Sequence, residues 1–219
     1  MPFTRIAQHS LVQKGSRAET ADIAVAERLA RGRRHGAMQV AGTLSEVGDQ
    51  PPLLTLSGAV LALGLATGNA QRAETGARML AAVLVATGIK SVLKHFVSRT
   101  RPHVLLDEGR YAVQAFGPHK GPWQSFPSGH TAGSVAAARA LARAYPGASG
   151  PVYAGAAAIA LVQLPRGKHY PSDVVAGAVV GVVAEAIVDR AAVWLSQRLS
   201  SASQKCEPAG PTAGTLNPK

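Results

Sequence analysis

Lys94, Arg101, Ser128, His130, His169 and Asp173 fall in three short islands of a 219-residue chain, and their side chains are the kinds that phosphoryl transfer needs. The islands read Lys94-His-Phe-Val-Ser-Arg-Thr-Arg101-Pro102, Pro127-Ser128-Gly129-His130 and Arg166-Gly-Lys168-His169-Tyr-Pro-Ser-Asp173. A phosphate monoester is dianionic, so its transfer calls for fixed donors, a nucleophile and an acid for the leaving group. Lys94 and Arg101 lie seven residues apart, about two helical turns, so on a helix both face one pocket. Ammonium and guanidinium both bind phosphate strongly. Pro102 would stop that helix.

The second island reads as a turn entering a helix, where Gly129 lets the backbone approach a ligand and the first N–H groups favour an anion. Ser128 either donates its hydroxyl to a phosphate oxygen or caps the helix. His130 either protonates a departing alkoxide or is an ordinary surface histidine. In the third island Asp173 follows His169 by four residues. A carboxylate there can accept from one ring nitrogen and leave the other as nucleophile. The alternative is a helix cap. None of this chemistry requires a metal.

The elements that must position these residues are helical. Apolar residues make up 47% of the chain and aromatics only 5%, so the apolar content is mostly small and suits closely packed helices. Residues 1–18 read as a flexible basic arm, and Glu19 to about Ala37 as a basic amphipathic helix on a membrane interface or an ordinary protein surface. Apolar segments follow at Gln50–Gln71, Ala77–Val97, after His130, across Ala144–Pro165, and from Asp173 onward. Period-two alternation is absent, which predicts an all-α, multi-helix bundle of about five apolar helices. Residues 19–199 form the domain, and 200–219 read as a disordered tail. In an up-down bundle the three islands fall at the same end.

Gln50 to Gln71 carries no charge and is long enough to span a bilayer. Arg139, Arg143 and Glu185 count against simple spans, since a charge at the bilayer centre costs about 2.5–3.5 kcal/mol on insertion scales. They need an interface or the bundle interior. The net charge of +11 is not gathered into one stripe with interleaved aromatics, which speaks against nucleic acid and for an anionic lipid or substrate. Cys206 is the only cysteine, so no disulfide framework or cysteine metal site forms within one chain. The first twenty residues lack a cleavable secretory signal. Seven Lys or Arg in the first 50 residues favour the cytoplasm for that arm, while catalytic cations confuse the same count, so the side the site faces stays open.

The Lys94/Arg101-Pro102, Pro127-Ser128-Gly129-His130 and His169-Tyr-Pro-Ser-Asp173 islands resemble the three signatures of the type 2 phosphatidic acid phosphatase superfamily, across roughly residues 50–195. That superfamily holds membrane lipid phosphatases, soluble acid phosphatases and vanadium haloperoxidases. The resemblance implies a phosphohistidine on His169, Asp173 orienting it, and His130 as general acid. It implies a phosphate pocket of Lys94, Arg101, Ser128 and Gly129, with no metal or other cofactor. It also implies a multi-pass protein of the bacterial inner membrane acting on a lipid phosphate or diphosphate, with no obligate protein partner. Phosphatidic acid, phosphatidylglycerol phosphate and polyprenyl diphosphate are the substrate candidates. One position departs: the family pattern has an arginine six residues before the nucleophile, and here it is Gln163. Arg166 is the expected substitute. A soluble phosphatase and a lipid-phosphate binder without turnover are the alternatives.

Overall fold

The computed structural model of the chain describes residues 16–118 and 120–205. Residues 1–15 of the predicted arm, Cys206 and the rest of the predicted tail lie outside them. Ser16 caps the first helix, α1 (Arg17–Ala30), by accepting from the Glu19 backbone N–H, so helix begins inside the stretch read as arm. The predicted Glu19–Ala37 helix is two helices: α1 ends at Ala30, and α2 (Gly36–Ser45) follows a turn. A single 3-10 turn, Glu46–Gly48, leads into α3 (Gln50–Ala66).

α4 (Ala70–Phe96) opens on the side-chain cap of Asn69, which is why α3 stops short of Gln71. α5 (Pro102–Glu108), α6 (Gly129–Ala144), α7 (Ser149–Val162) and α8 (Pro171–Lys205) complete the helices. The turn Pro146–Ala148 delays α7, and α8 continues to Lys205, into the stretch read as tail. Two short strands also form, β1 (Val97–Arg99) and β2 (Val113–Ala115), paired antiparallel with Ser98 opposite Gln114. Three residues each are too few for alternation to show in the sequence.

Helices α3, α4, α6, α7 and α8 build the bundle, and only two of them, Ala70–Phe96 and Pro171–Ser201, are long and apolar enough to cross a membrane. Gln50–Ala66 and Pro146–Val162 are shorter apolar segments. The core where α4, α6 and α8 meet is Ala82, Ala86, Ala132, Ala136, Val180 and Ala184. Small side chains there let the backbones approach. A Cβ on Gly177 of α8 would lie 2.5 Å from the Ser128 carbonyl oxygen and 3.0 Å from Thr131 Cβ; one on Gly181 would lie 2.6 Å from the Ala132 carbonyl. Backbone oxygens cannot step aside as a flexible side chain can. Gly177→Ala is therefore expected to destabilise by about 1–3 kcal/mol through overpacking, read as a lowered midpoint of thermal unfolding in detergent. The same contact sets how far the start of α6, with His130, stands from the start of α8.

The charges that opposed simple spans are paired between the helices of the bundle. Arg139 Nε and Arg143 Nε donate to Glu185 at 3.0 and 2.8 Å, and Arg78 Nη1 donates to Asp189 at 2.9 Å. Glu185 is buried. The cluster ties α4, α6 and α8 together about 18 Å along α8 from Asp173, at 1.5 Å per residue.

Candidate active site

Backbone hydrogen bonds join the three islands. Ser128 N donates to the Asp173 carbonyl at 3.0 Å, His103 N to the Gly167 carbonyl at 3.0 Å, and Ser125 N to the Arg99 carbonyl at 3.0 Å. The result is a pocket of about 340 Å³ walled by Lys94, Arg101, Gly129, His130, Gln163, Arg166, Lys168 and His169, with Glu46, Asp49, Lys90 and Gln124. The convergence expected of an up-down bundle is what the fold produces.

Arg101 reaches the pocket by a different route from the one its spacing suggested. α4 ends at Phe96, β1 follows, and Arg101 sits in extended backbone as the residue before α5. Pro102 starts that short helix; it does not end α4. Lys94 remains on the last turn of α4, its Nζ donating to the Gln124 carbonyl at 2.6 Å. Arg101 Nε is buried with no hydrogen-bond partner among the described residues. Burial first, then Arg166, push the Arg101 pKa below its usual value. Burial, Arg101 and Arg166 do the same to Lys168. A cluster of cations crowded in this way is stabilised by an anion.

Ser128 does not line the pocket. Its fully buried hydroxyl accepts from Thr131 Oγ1 at 3.0 Å and from Thr131 N at 3.4 Å, which is the capping alternative. Gly129, the first residue of α6, does line it.

His169 is 3% exposed and its Nδ1 lies 2.7 Å from the Ser125 carbonyl oxygen. A carbonyl only accepts, so Nδ1 carries the hydrogen and Nε2 keeps its lone pair for the pocket. Asp173 does not make the expected direct hydrogen bond: its Oδ2 stands 3.8 Å from Nδ1, beyond hydrogen-bond range. α8 starts at Pro171, so Asp173 is in the first turn and accepts from the Tyr170 N–H at 2.8 Å, the reciprocal half of a capping box. It also accepts from Ser125 Oγ at 2.6 Å and Arg99 Nη1 at 2.9 Å. Asp173 thus holds Ser125, and Ser125 holds His169. Burial pushes the His169 pKa down to about 4, against the opposing pull of Asp173, so the ring is neutral at physiological pH.

Several site residues carried no sequence signal of their own. Arg99 is buried behind the pocket, donating to Asp173, to Asp22 of α1 at 2.8 Å and to Ser172 Oγ at 2.8 Å. Its guanidinium stacks 3.8 Å over the Tyr170 ring. Glu46 meets His130 Nε2 at 3.1 Å through Oε2 and Arg166 Nη2 at 2.6 Å through Oε1. Gln163 is fully buried, donates to Ser45 Oγ at 3.1 Å and accepts from Arg166 Nη1 at 3.3 Å. Arg166 is thereby held on the pocket wall beside the residue it was expected to replace.

Among the described residues, Glu46, Asp49 and His130 are the group able to hold a metal, their ligand atoms lying within 4.8 Å of one another. Arg166 already occupies one oxygen of Glu46, and Lys90 shares the same pocket wall. Both charges oppose a cation there.

Residues 75–196 match the sequence model of the PAP2 superfamily. The chain is 32% identical over 179 residues to the decaprenylphosphoryl-5-phosphoribose phosphatase of Mycobacterium tuberculosis, covering 82% of this chain and 93% of that protein. It is 32% identical over 106 residues to the lipid A 1-phosphatase of Rhizobium etli, 48% of this chain and 45% of that one; the chain thus spans about half the length of that relative. The crystal structure of LpxE from Aquifex aeolicus superposes with a TM-score of 0.59 at 25% identity, over 75% of this chain and 92% of the other. A Bacillus subtilis phosphatidylglycerolphosphate phosphatase shares the fold, with a TM-score of 0.57 at 18% identity over 90% and 91% of the two chains.

Proposed function

The chain belongs to the PAP2 superfamily, and from that membership we propose that it is an integral membrane phosphatase hydrolysing a lipid phosphate or diphosphate through a phosphohistidine on His169. One observation carries the reading: a neutral, hydrogen-bonded imidazole and an unpartnered arginine Nε share one cationic pocket. His169 Nε2 attacks phosphorus, the bond to the leaving oxygen breaks, and His130 supplies the proton that the alkoxide takes up. Water then forms the new P–O bond, giving its proton to His130 as the P–N bond breaks. Lys94, Arg101, Arg166 and the backbone at Gly129 hold the equatorial oxygens. Asp173 works through Ser125.

The membrane part of the reading is supported by what the long helices leave uncovered. Only 28% of the apolar window of α4 and 39% of that of α8 is buried within the protein, where a soluble core helix would be mostly covered. Leu84, Val92, Val175, Val179 and Trp194 point outward. A bilayer solvates that girdle, with α4 and α8 as the crossings and the shorter apolar helices packed against them. The pocket then opens at one end of the bundle, where lipid headgroups lie. The activities of the relatives, a lipid A 1-phosphatase and a decaprenylphosphoryl-5-phosphoribose phosphatase, favour a phosphate carried by a lipid.

Arg166 supplies the charge that Gln163 does not. Losing a charge-assisted hydrogen bond costs about 1.5–3 kcal/mol, so Arg166→Ala is expected to lower kcat/KM roughly ten- to a hundredfold. Steady-state phosphate release reads it, and an unchanged value would remove Arg166 from the pocket's function.

The deciding experiment is phosphate release by detergent-purified protein from phosphatidic acid, phosphatidylglycerol phosphate and polyprenyl diphosphate, with EDTA present. Turnover that survives chelation supports histidine chemistry, and loss in EDTA restored by a divalent ion would overturn it. Binding of these lipids without release would favour the second reading, a binder whose Gln163 replaces a catalytic arginine. Recovery of the protein in the soluble fraction without detergent would overturn the membrane assignment.

A further inference from the structure

Glu46 stands outside the stretch that matches the superfamily, yet it enters the pocket from the 3-10 turn before α3. One carboxylate oxygen meets His130 Nε2 and the other meets Arg166. We propose that Glu46 is a positioning residue for His130, fixing its ring and tautomer so that the proton exchanged with the leaving group and with water is the one on Nδ1. The proposal rests on the phosphohistidine reading above.

An ionised carboxylate only accepts, so the contact requires hydrogen on His130 Nε2. With Nε2–H spoken for, the neutral ring has its lone pair on Nδ1, and the imidazolium has hydrogen on both nitrogens. In the first half-reaction the imidazolium gives the Nδ1 proton to the leaving alkoxide oxygen as its bond to phosphorus breaks. The neutral ring that remains is the tautomer Glu46 stabilises. In the second half-reaction Nδ1 takes a proton from water as the oxygen bonds phosphorus and the P–N bond breaks. The imidazolium is restored, and Glu46 stays ionised throughout.

The local electrostatics agree. Partial burial works against the Glu46 charge, but Arg166 and His130 outweigh it and hold the carboxyl below the usual range. Arg166 also anchors the second oxygen, which keeps Glu46 from swinging into the phosphate site. The arrangement parallels that behind His169, with one difference. There a neutral carbonyl fixes Nδ1–H, and the ring stays neutral for attack. Here a carboxylate fixes Nε2–H, which leaves Nδ1 as the nitrogen that exchanges the proton. The two histidines are thereby set for opposite tasks.

The test compares two esters that differ in their need for an acid. Phosphatidic acid leaves as an alkoxide and requires a proton; p-nitrophenyl phosphate leaves as a stabilised phenolate. Glu46→Gln, assayed in detergent, is expected to lower kcat/KM, which reports only the half-reaction that expels the leaving group, about ten- to a hundredfold on phosphatidic acid and by less than about threefold on the aryl ester. His130→Ala should show the same split. Adding Glu46→Gln to it should lower the rate no further, the non-additivity of residues acting as a unit. Retained aryl phosphatase activity shows that the variant is folded. Equal losses on both esters, or an additive double variant, would overturn the proposal and leave Glu46 as a scaffold for Arg166. A wild-type protein that turned over neither of these esters, nor phosphatidylglycerol phosphate or polyprenyl diphosphate, would overturn the phosphatase reading itself, and with it this role.

Discussion

His169→Ala is expected to reduce phosphate release by on the order of 10⁴- to 10⁶-fold while leaving lipid-phosphate binding largely intact. That is the loss seen when the nucleophile of a covalent mechanism is removed from a site whose other parts remain. Lys94, Arg101, Arg166 and Lys168 line the pocket independently of the imidazole, so binding of the ester measured without turnover separates capture from chemistry. Equal loss of both would mean that the ring is a structural member of the pocket. The wild-type pH profile carries a second signature. Attack requires the neutral ring, and burial pushes its pKa down to about 4. Once the ionisation of the substrate near pH 6 is divided out, the acid limb of kcat/KM should appear as pH drops toward 4 and not near 6.5. An acid limb at 6.5 would mean an imidazole open to solvent, in conflict with its burial.

Arg99→Ala is expected to be the most destabilising single change behind the site. Asp173 is fully buried, Asp22 nearly so, and Arg99 is the cation between them. Removing it leaves two carboxylates facing one another without their counter-charge, and breaking a buried pair from one side costs about 3–5 kcal/mol. For a chain of this size that is on the order of 10 °C in unfolding midpoint. Thermal unfolding in detergent, followed by far-ultraviolet circular dichroism, reads it directly. Arg99→Lys keeps a charge but loses the fork that spans Asp173 and Asp22 and the stacking on Tyr170, so it should fall between the two. A shift of less than about 2 °C in Arg99→Ala would mean that water reaches the pair.

The islands were legible because their residue types are chemically specific and because antiparallel helices return a short chain to one end. His130, His169, Lys94 and Gly129 all line the pocket. The position of Asp173 on the first turn of a helix was legible from Pro171 and Ser172; its partner was not. The competing acceptor on His169, the Ser125 carbonyl, is a backbone atom, and backbone atoms leave no trace in side-chain spacing. Arg101 shows the same limit. Seven residues suggested one helical face, but the strand pairing of Val97–Arg99 with Val113–Ala115 ends the helix early. Asp22 and Glu46 reach the site from far away in the chain: Asp22 pairs with Arg99 across 77 residues, and Glu46 meets His130 across 84. Such pairings are decided by packing, and no local period encodes them. The small-residue character of the bundle was legible in composition, though not which glycines stand against which carbonyls.

The ion pairs among α4, α6 and α8 bear on how the chain enters a bilayer as it is made. Among the described helices α8 comes last in the chain, and it carries Glu185 and Asp189, neither of which is welcome in hydrocarbon alone. Their partners, Arg78, Arg139 and Arg143, belong to helices synthesised earlier, which the membrane reading proposed above would place in the bilayer first. α8 therefore enters as a latecomer to an assembled acceptor, and its arrival neutralises arginines that α6 could not carry unaided. Because the start of that same helix brings His169 and Asp173 to the pocket, the proposed catalytic centre would be complete only once α8 has packed against α4 and α6.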